Sequence, residues 1–189
     1  MLLQCPVQKY SYLEPDSAAI ISDTRVLSYQ ELDQQIQLAC CFLRYEGVEP
    51  GMCVGVVVES DMDMIVLLWS LFRLGVAVYL MDPNSMVLKK ESFERNAGVS
   101  LVIDRAFIVD KWLSFRSDHL DSAFPFLYTT LSLSQRGTLI HTSGSSGVSK
   151  VAVHSLGNHF VSAYMSNANL MMCAQDRYLL SLPLYHVSG

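Results

Sequence analysis

A chain of 189 residues has material for one large domain with a real core, and 51% hydrophobic against 16% charged residues excludes a disordered or collagen-like protein. The formal net charge is −5 with no Lys/Arg run, so the chain is not built to grip a nucleic-acid backbone, and any anion it holds must be caught locally. Cys5, Cys40, Cys41, Cys53 and Cys173 are odd in number and lack C-x-x-C spacing, which indicates neither a disulfide framework nor a zinc knuckle and fits a reducing, cytoplasmic location.

The opening MLLQC has the look of a lipoprotein cleavage box, but no basic region or apolar stretch precedes it. A short strand is expected over 19–22. Ser28 and Glu31 then stand in the S-x-x-E spacing of a capping box, which starts a helix at Tyr29. Leu32, Ile36, Ala39, Cys40 and Leu43 recur at helical spacing, and Gly47 is placed to end the helix in a left-handed cap. Pro50 and Gly51 turn the chain into a β-branched strand over 54–58.

The apolar run over 64–81 is long enough to raise a membrane question. Arg73 at mid-span and Gly75 divide it into a helix over 62–74 and a strand over 76–81. A helix over 85–96 and a strand over 100–104 follow, and the alternation predicts an α/β fold, layered on a largely parallel sheet. From 106 to 135 the pattern fades, and an irregular connection with one short helix is expected. Beyond it come a strand over 137–141, an extended segment over 151–154, a long helix over 158–171 and a buried strand over 178–182. The sequence contains no internal repeat and no low-complexity tract.

Between the strand and the extended segment stands HTSGSSGVSK, His141 to Lys150. Two glycines let several backbone N–H groups converge, the hydroxyls add donors, and one ammonium stands at the rim; these are parts for cradling phosphate oxygens. Other signatures fail on spacing. The P-loop of nucleoside triphosphatases needs glycine before its lysine, and Ser149 stands there. The G-x-S-x-G nucleophile elbow fails because the fifth residue from Gly144 is Val148, and S-x-x-K fails because Gly147 stands three before Lys150. Taken alone the stretch reads as a surface Gly/Ser loop, yet such linkers seldom join two extended segments inside a domain.

Leu139 to Lys150 resembles the phosphate-loop signature of the AMP-forming acyl- and aryl-CoA synthetases, also called adenylate-forming ligases. SLPLYHVSG, Ser181 to Gly189, resembles that family's acid-substrate segment. KVAVHSLGNHFVSA, Lys150 to Ala163, is similar to the same region of bacterial o-succinylbenzoate-CoA ligases of menaquinone synthesis, and LSYQELDQQIQLACCFLRYEGVEPGMCVGVVVES is like the family's opening helix and strand. Two departures are Ser149-Lys150-Val151, where Pro-Lys-Gly is usual, and His141, where an aromatic or aliphatic residue is usual.

The resemblance implies the amino-terminal portion of an AMP-binding domain, with 1–135 as a first α/β subdomain and connection and 136–189 carrying the phosphate loop and acid-substrate segment. It implies ATP with Mg²⁺, and coenzyme A as co-substrate. A carboxylate attacks the α-phosphate to give an acyl-adenylate and pyrophosphate, then the thiol displaces AMP. Lys150, as the catalytic cation, and Thr142, Ser143, Gly144, Ser145, Ser146 and Gly147 would hold the β- and γ-phosphates by position and field. Tyr185, His186, Ser188 and Gly189 would contact or line the carboxylic-acid pocket, although His186 taken alone reads as a core histidine. His119, His141, His154 and His159 lack metal-ligand spacing and read as structural or surface residues. No protein metal ligand is assigned.

The family's ribose-binding aspartate, Mg²⁺-binding glutamate and mobile carboxy-terminal domain with its adenylation lysine are not matched here, so these residues alone are expected not to turn over substrate. They are also expected to leave apolar surface uncovered and to self-associate. Alternatives are another acyl-CoA ligase, a peptide-synthetase adenylation domain, or a non-catalytic nucleotide-binding or interaction module.

Overall fold

The computed structural model describes residues 1–57, 62–84, 98–119, 129–142 and 150–185. The expected helix over 85–96 lies outside them. The order is β1 (Leu2–Gln4), α1 (Pro6–Leu13), β2 (Ala18–Ile21), β3 (Val26–Ser28), α2 (Tyr29–Tyr45), β4 (Cys53–Val57), α3 (Met62–Arg73), β5 (Ala77–Met81) and β6 (Val99–Ile103). A helical run α4 follows in three pieces, Arg105–Phe107, Ile108–Trp112 and Leu113–Asp118, and then β7 (Thr130–Ser132), β8 (Arg136–Thr142), β9 (Lys150–Ser155) and α5 (Leu156–Leu170).

A five-stranded sheet in the order β6-β4-β5-β8-β9 forms the body. Among the described residues of this sheet, β4 pairs in parallel with both β5 and β6, β5 pairs in parallel with β8, and β8 and β9 pair antiparallel. The largely parallel sheet expected from the alternation is therefore present. The central strands β4 and β5 are buried along their whole length, as a sheet covered on both faces requires.

The helix ends follow from local chemistry. Ser28 Oγ accepts from Glu31 N–H at 3.2 Å while Glu31 Oε2 accepts from Ser28 N–H at 2.8 Å, a reciprocal capping box that starts α2 at Tyr29. At its other end Gly47, at φ +84°, lets its N–H donate to Arg44 O at 3.0 Å and Val48 N–H donate to Leu43 O at 2.9 Å. Gly75, at φ +73°, closes α3 in the same way through Phe72 O and Leu71 O. A side chain at φ > 0 is strained, so glycine sets both stops.

Side-chain alternation divides the sheet. Val54, Val56, Val78, Leu80 and Ile140 face the main core with Ile36, Phe42, Leu67, Leu71 and Trp112. Cys53, Val57, Ala77, Tyr79, Met81 and Leu139 form a second cluster made of strand residues. Ser70 is the small residue at the α2 and α3 contact, where its Oγ donates within 3.2 Å of Ile36 O and 2.7 Å of Val66 O. Arg73 forms a buried ion pair with Asp33, whose other oxygen accepts from Gln37 Nε2 at 2.6 Å. The charge that excludes a membrane span thus joins α3 to α2 inside the core; no described helix is long and apolar enough to cross a membrane.

Two expectations need correction. The region 106–135 is not mainly irregular among its described residues: α4 runs to Asp118, buries Phe107, Ile108 and Trp112, and Trp112 Nε1 donates to Asp63 Oδ1 at 2.9 Å. The stretch 178–182 is neither a strand nor buried, with Tyr178 74% and Leu179 82% exposed. No described strand lies beside it to satisfy its backbone groups, and apolar composition alone does not make a strand.

Candidate functional site

The site is a hairpin. Leu139 and Ile140 are buried in opposite faces of β8, so the strand is anchored from both sides and delivers the chain at Thr142 to the sheet edge. β9 returns antiparallel, and its register pairs His141 with Val151 and Thr142 with Lys150. Thr142 Oγ1 donates to the Lys150 carbonyl at 3.1 Å, a side-chain clip across the mouth of the loop. The first and last residues of the assigned nucleotide set are therefore direct cross-strand partners, both exposed. Ser143, Gly144, Ser145, Ser146 and Gly147 lie outside the described residues.

Alternation places Thr138, Ile140 and Thr142 on one face of β8, with His154, Ala152 and Lys150 opposite them on β9. Ile140 belongs to the main core, and so do the contacts of Leu184 and Tyr185, which are half-buried against it. Lys150 and Tyr185, taken from two separate signatures, thus belong to the same side of the sheet. His186, Ser188 and Gly189 lie outside the described residues. His141 is on the opposite face with Val151, away from the row that holds Lys150.

The hairpin segment itself lacks acid although the whole chain is acidic. Residues 122–175 contain no Asp or Glu, and their cations are Arg136 and Lys150, one at each end of the hairpin. Arg136 Nη2 donates to Gly51 O at 3.1 Å, which ties its guanidinium to the turn before β4. Lys150 carries the cation at the loop end, in a segment that has no carboxylate of its own. Among the described residues no group of three or more His, Cys, Asp or Glu could hold a metal ion, so no described side chain is assigned to Mg²⁺.

α5 supports the hairpin. Ser155 and Asn158 form a second capping box, and Leu156 N–H and Gly157 N–H donate to Gln135 O at 3.1 Å and Leu133 O at 2.8 Å. A methyl at Gly157 would stand 2.8 Å from Leu133 O, a backbone atom, so glycine is required for this approach; one at Gly137 would press on Leu156 Cδ2 at 2.9 Å and on Leu156 N at 3.2 Å. His159 Nε2 lies 2.8 Å from Thr138 Oγ1, and its ring centroid is 5.7 Å from that of His154. Burial, and secondarily His154, hold His159 below the ordinary imidazole pKa. Spacing gave no sign of this contact, because Thr138 and His159 meet only when α5 folds back over β8.

His119 behaves as a structural residue: it stacks on Phe115 at 4.2 Å and its Nδ1 lies 2.9 Å from Phe115 O. Beyond Phe160 the outer length of α5 and the segment after it expose Val161, Tyr164, Met165, Leu170, Met171, Tyr178 and Leu179. The methionines divide accordingly: Met64 and Met81 fill core, while Met165, Met171 and Met172 are exposed.

A largely parallel sheet leads through β8 into a lysine-bearing hairpin, and the chain belongs to the AMP-binding enzyme family, whose profile matches residues 7–189. Within it, the chain is 26% identical over 200 residues to the 2-succinylbenzoate–CoA ligase of Bacillus licheniformis, covering 100% of this chain and 42% of that protein. It is 29% identical over 188 residues to the enzyme of the same name from Listeria monocytogenes, covering 97% and 40%. The fold is similar to that of an o-succinylbenzoate coenzyme A synthetase from Bacillus subtilis solved in complex with AMP, with a TM-score of 0.84 at 23% identity, over 100% of this chain and 52% of that one. The same enzyme solved with ATP and magnesium ion gives a TM-score of 0.82. The chain therefore spans about two fifths of the length of the curated relatives it matches.

Proposed function

We propose that this chain is the nucleotide-phosphate-binding part of an AMP-forming acid–CoA ligase whose acid is o-succinylbenzoate. The observation that carries the reading is the pairing of Thr142 with Lys150 across the loop mouth, in a segment without carboxylates, on the side of the sheet where Tyr185 packs. The relatives named 2-succinylbenzoate–CoA ligase supply the acid and the thiol.

Lys150 places its ammonium beside the β- and γ-phosphates, while Thr142 and the loop residues from Ser143 to Gly147 supply hydroxyl and backbone donors. Fixing two charged reactants in line at the α-phosphorus is the main demand of the first step, and donors held by a paired strand need little rearrangement to meet it. Mg²⁺, when bound with the nucleotide, shares the phosphate charge. Tyr185, His186, Ser188 and Gly189 line the acid pocket, with the apolar ring of Tyr185 against the core and its segment facing the carboxylic acid. No serine need act as a nucleophile, because the acid itself attacks the phosphorus.

In this reading residues 1–135 are a scaffold and connection and 136–189 carry the site. ATP, coenzyme A and a small carboxylic acid are the partners, the compartment is the cytoplasm, and the ribose- and metal-binding residues of the relatives must be supplied for turnover.

ATP–pyrophosphate exchange tests it. These residues joined to the remaining catalytic segments should exchange with o-succinylbenzoate in preference to other aryl and acyl acids, and Lys150→Ala should lower the rate at least about a hundredfold, as loss of a charge-stabilising donor does. Equal exchange by Lys150→Ala would remove the assigned role. Preference for another acid would keep the ligase and change its substrate.

A further inference from the structure

We propose that Asp82, at the carboxyl end of β5, makes the phosphate site select metal-bound over metal-free nucleotide: it stands beside Thr142 and Lys150 and repels bare triphosphate. The inference rests on the assignment of the β8 and β9 hairpin to phosphate.

The placement follows from register. β5 and β8 run in parallel with Val78 beside Thr138, Tyr79 beside Leu139 and Leu80 beside Ile140, so two residues further on Asp82 comes level with Thr142. Thr142 in turn pairs with Lys150. Alternation puts all three on one face, because Val78, Leu80 and Ile140 belong to the main core whereas Tyr79, Met81 and Leu139 belong to the second cluster. With neighbouring strands about 5 Å apart, the Asp82 backbone lies about 5 Å from that of Thr142 and about 10 Å from that of Lys150. Asp82 is half-buried, and its Oδ1 accepts from Asn84 N–H at 2.9 Å and from Asn84 Nδ2 at 3.3 Å, an Asx turn that keeps the carboxylate at the strand end.

Ligands of open parallel sheets bind outside the carboxyl ends of the strands, and Asp82 and Thr142 stand at two adjacent ends. The hairpin segment has no carboxylate of its own, so the acid that reaches it comes from β5. Asp104 offers a comparison. It follows β6 as Asp82 follows β5, and its Oδ1 accepts from Phe107 N–H at 2.9 Å. β6 is three strands from β8, however, which puts Asp104 about 15 Å from the hairpin.

A carboxylate beside the phosphates acts on each of their negative charges, and a bound Mg²⁺ offsets two of them. Lys150 pulls the other way, favouring the more negative form, and Asp82 opposes that bias. At about 8 Å in water Coulomb's law gives roughly 2.4-fold in affinity per charge, hence about sixfold in the preference for Mg-ATP over ATP. At about 15 Å the same arithmetic gives only about 2.5-fold.

Equilibrium titration of the 189-residue chain with ATP at low ionic strength, in Mg²⁺ and in EDTA, tests this. Asp82→Asn should tighten both forms, the metal-free one more, so that the preference for Mg-ATP falls about sixfold. Asp82→Ser, which keeps a turn-forming acceptor, should match it. Asp104→Asn, which keeps the helix cap, should lower the preference by no more than about 2.5-fold. Amide spectra without nucleotide check the placement: Asp82→Asn should move the Thr142 amide, and Asp104→Asn should not. An unmoved Thr142 amide would overturn the placement whether or not nucleotide binds. ATP binding with an unchanged preference in Asp82→Asn, or an equal change in Asp104→Asn, would overturn the proposal and leave the phosphate site intact. No ATP binding in either condition would overturn the phosphate assignment and this inference with it.

Discussion

Removing Asp33 should be among the most costly single changes in this chain. Its side chain is 5% exposed and that of Arg73 is 3%, so neither charge has water to fall back on. Asp33 accepts from Arg73 Nη2 and from Gln37 Nε2, Arg73 Nε donates to Cys5 Sγ at 3.3 Å, and Arg73 Nη1 is already buried with no hydrogen-bond partner. Asp33→Ala would leave the guanidinium buried with two unsatisfied nitrogens and no counter-ion. Breaking a buried pair from one side costs about 3–5 kcal/mol, which for a domain of this size lowers Tm by roughly 6–20 °C. Asp33→Leu combined with Arg73→Met replaces the pair by apolar groups and should recover most of the loss, because the attraction was offset largely by desolvation. Urea unfolding of the two single variants and the double variant forms the assay. A loss under about 1 kcal/mol for Asp33→Ala, or a double variant as unstable as the sum of the singles, would refute the reasoning, since an independent pair would then be additive.

Other consequences are as direct. Ser28→Ala removes the acceptor for Glu31 N–H and should cost about 1 kcal/mol in urea unfolding. Gly47→Ala puts a Cβ at φ +84° with nothing within 4 Å to clash, so its cost of about 1–2 kcal/mol should be backbone strain alone, and Gly47→Asn should cost less. A thiol reagent at pH 8 should modify exposed Cys173 fastest, while half-buried Cys40, pushed up to about 11 chiefly by burial, should react far more slowly until the chain unfolds; equal rates for the two thiols in native protein would contradict its placement. Because His159 is held below its ordinary value, the stability it contributes is full above about pH 6.5 and lost as pH falls through the lower folded value; His159→Gln should flatten that acid limb in thermal unfolding.

What could be read from the sequence was what depends on neighbours along the chain. The Ser28 and Glu31 spacing placed the start of α2, Gly47 placed its end, and the β-branched run announced β4. The loop from Thr142 to Lys150 was legible by its residue types, though not that Thr142 and Lys150 would face each other across a strand pair. β1 escaped notice because it is three residues long and its partner β7 lies more than a hundred residues away. α4 was hidden by its own geometry: Leu113 N–H donates to Ile108 O, a wider turn that shifts Phe107, Ile108 and Trp112 off a 3.6-residue period. The stretch 178–182 misled in the other direction, since an apolar run reports a wish for burial and not a partner strand.

On the proposed function, triphosphate oxygens settle at the mouth of the β8 and β9 hairpin. Amide chemical-shift mapping of the 189-residue chain with Mg-ATP tests it most directly. The largest changes should fall at Thr142, Lys150 and the residues between them, and Lys150→Ala should abolish them. Changes centred on the β2 and β3 hairpin or on α4, with Thr142 and Lys150 unmoved, would contradict it.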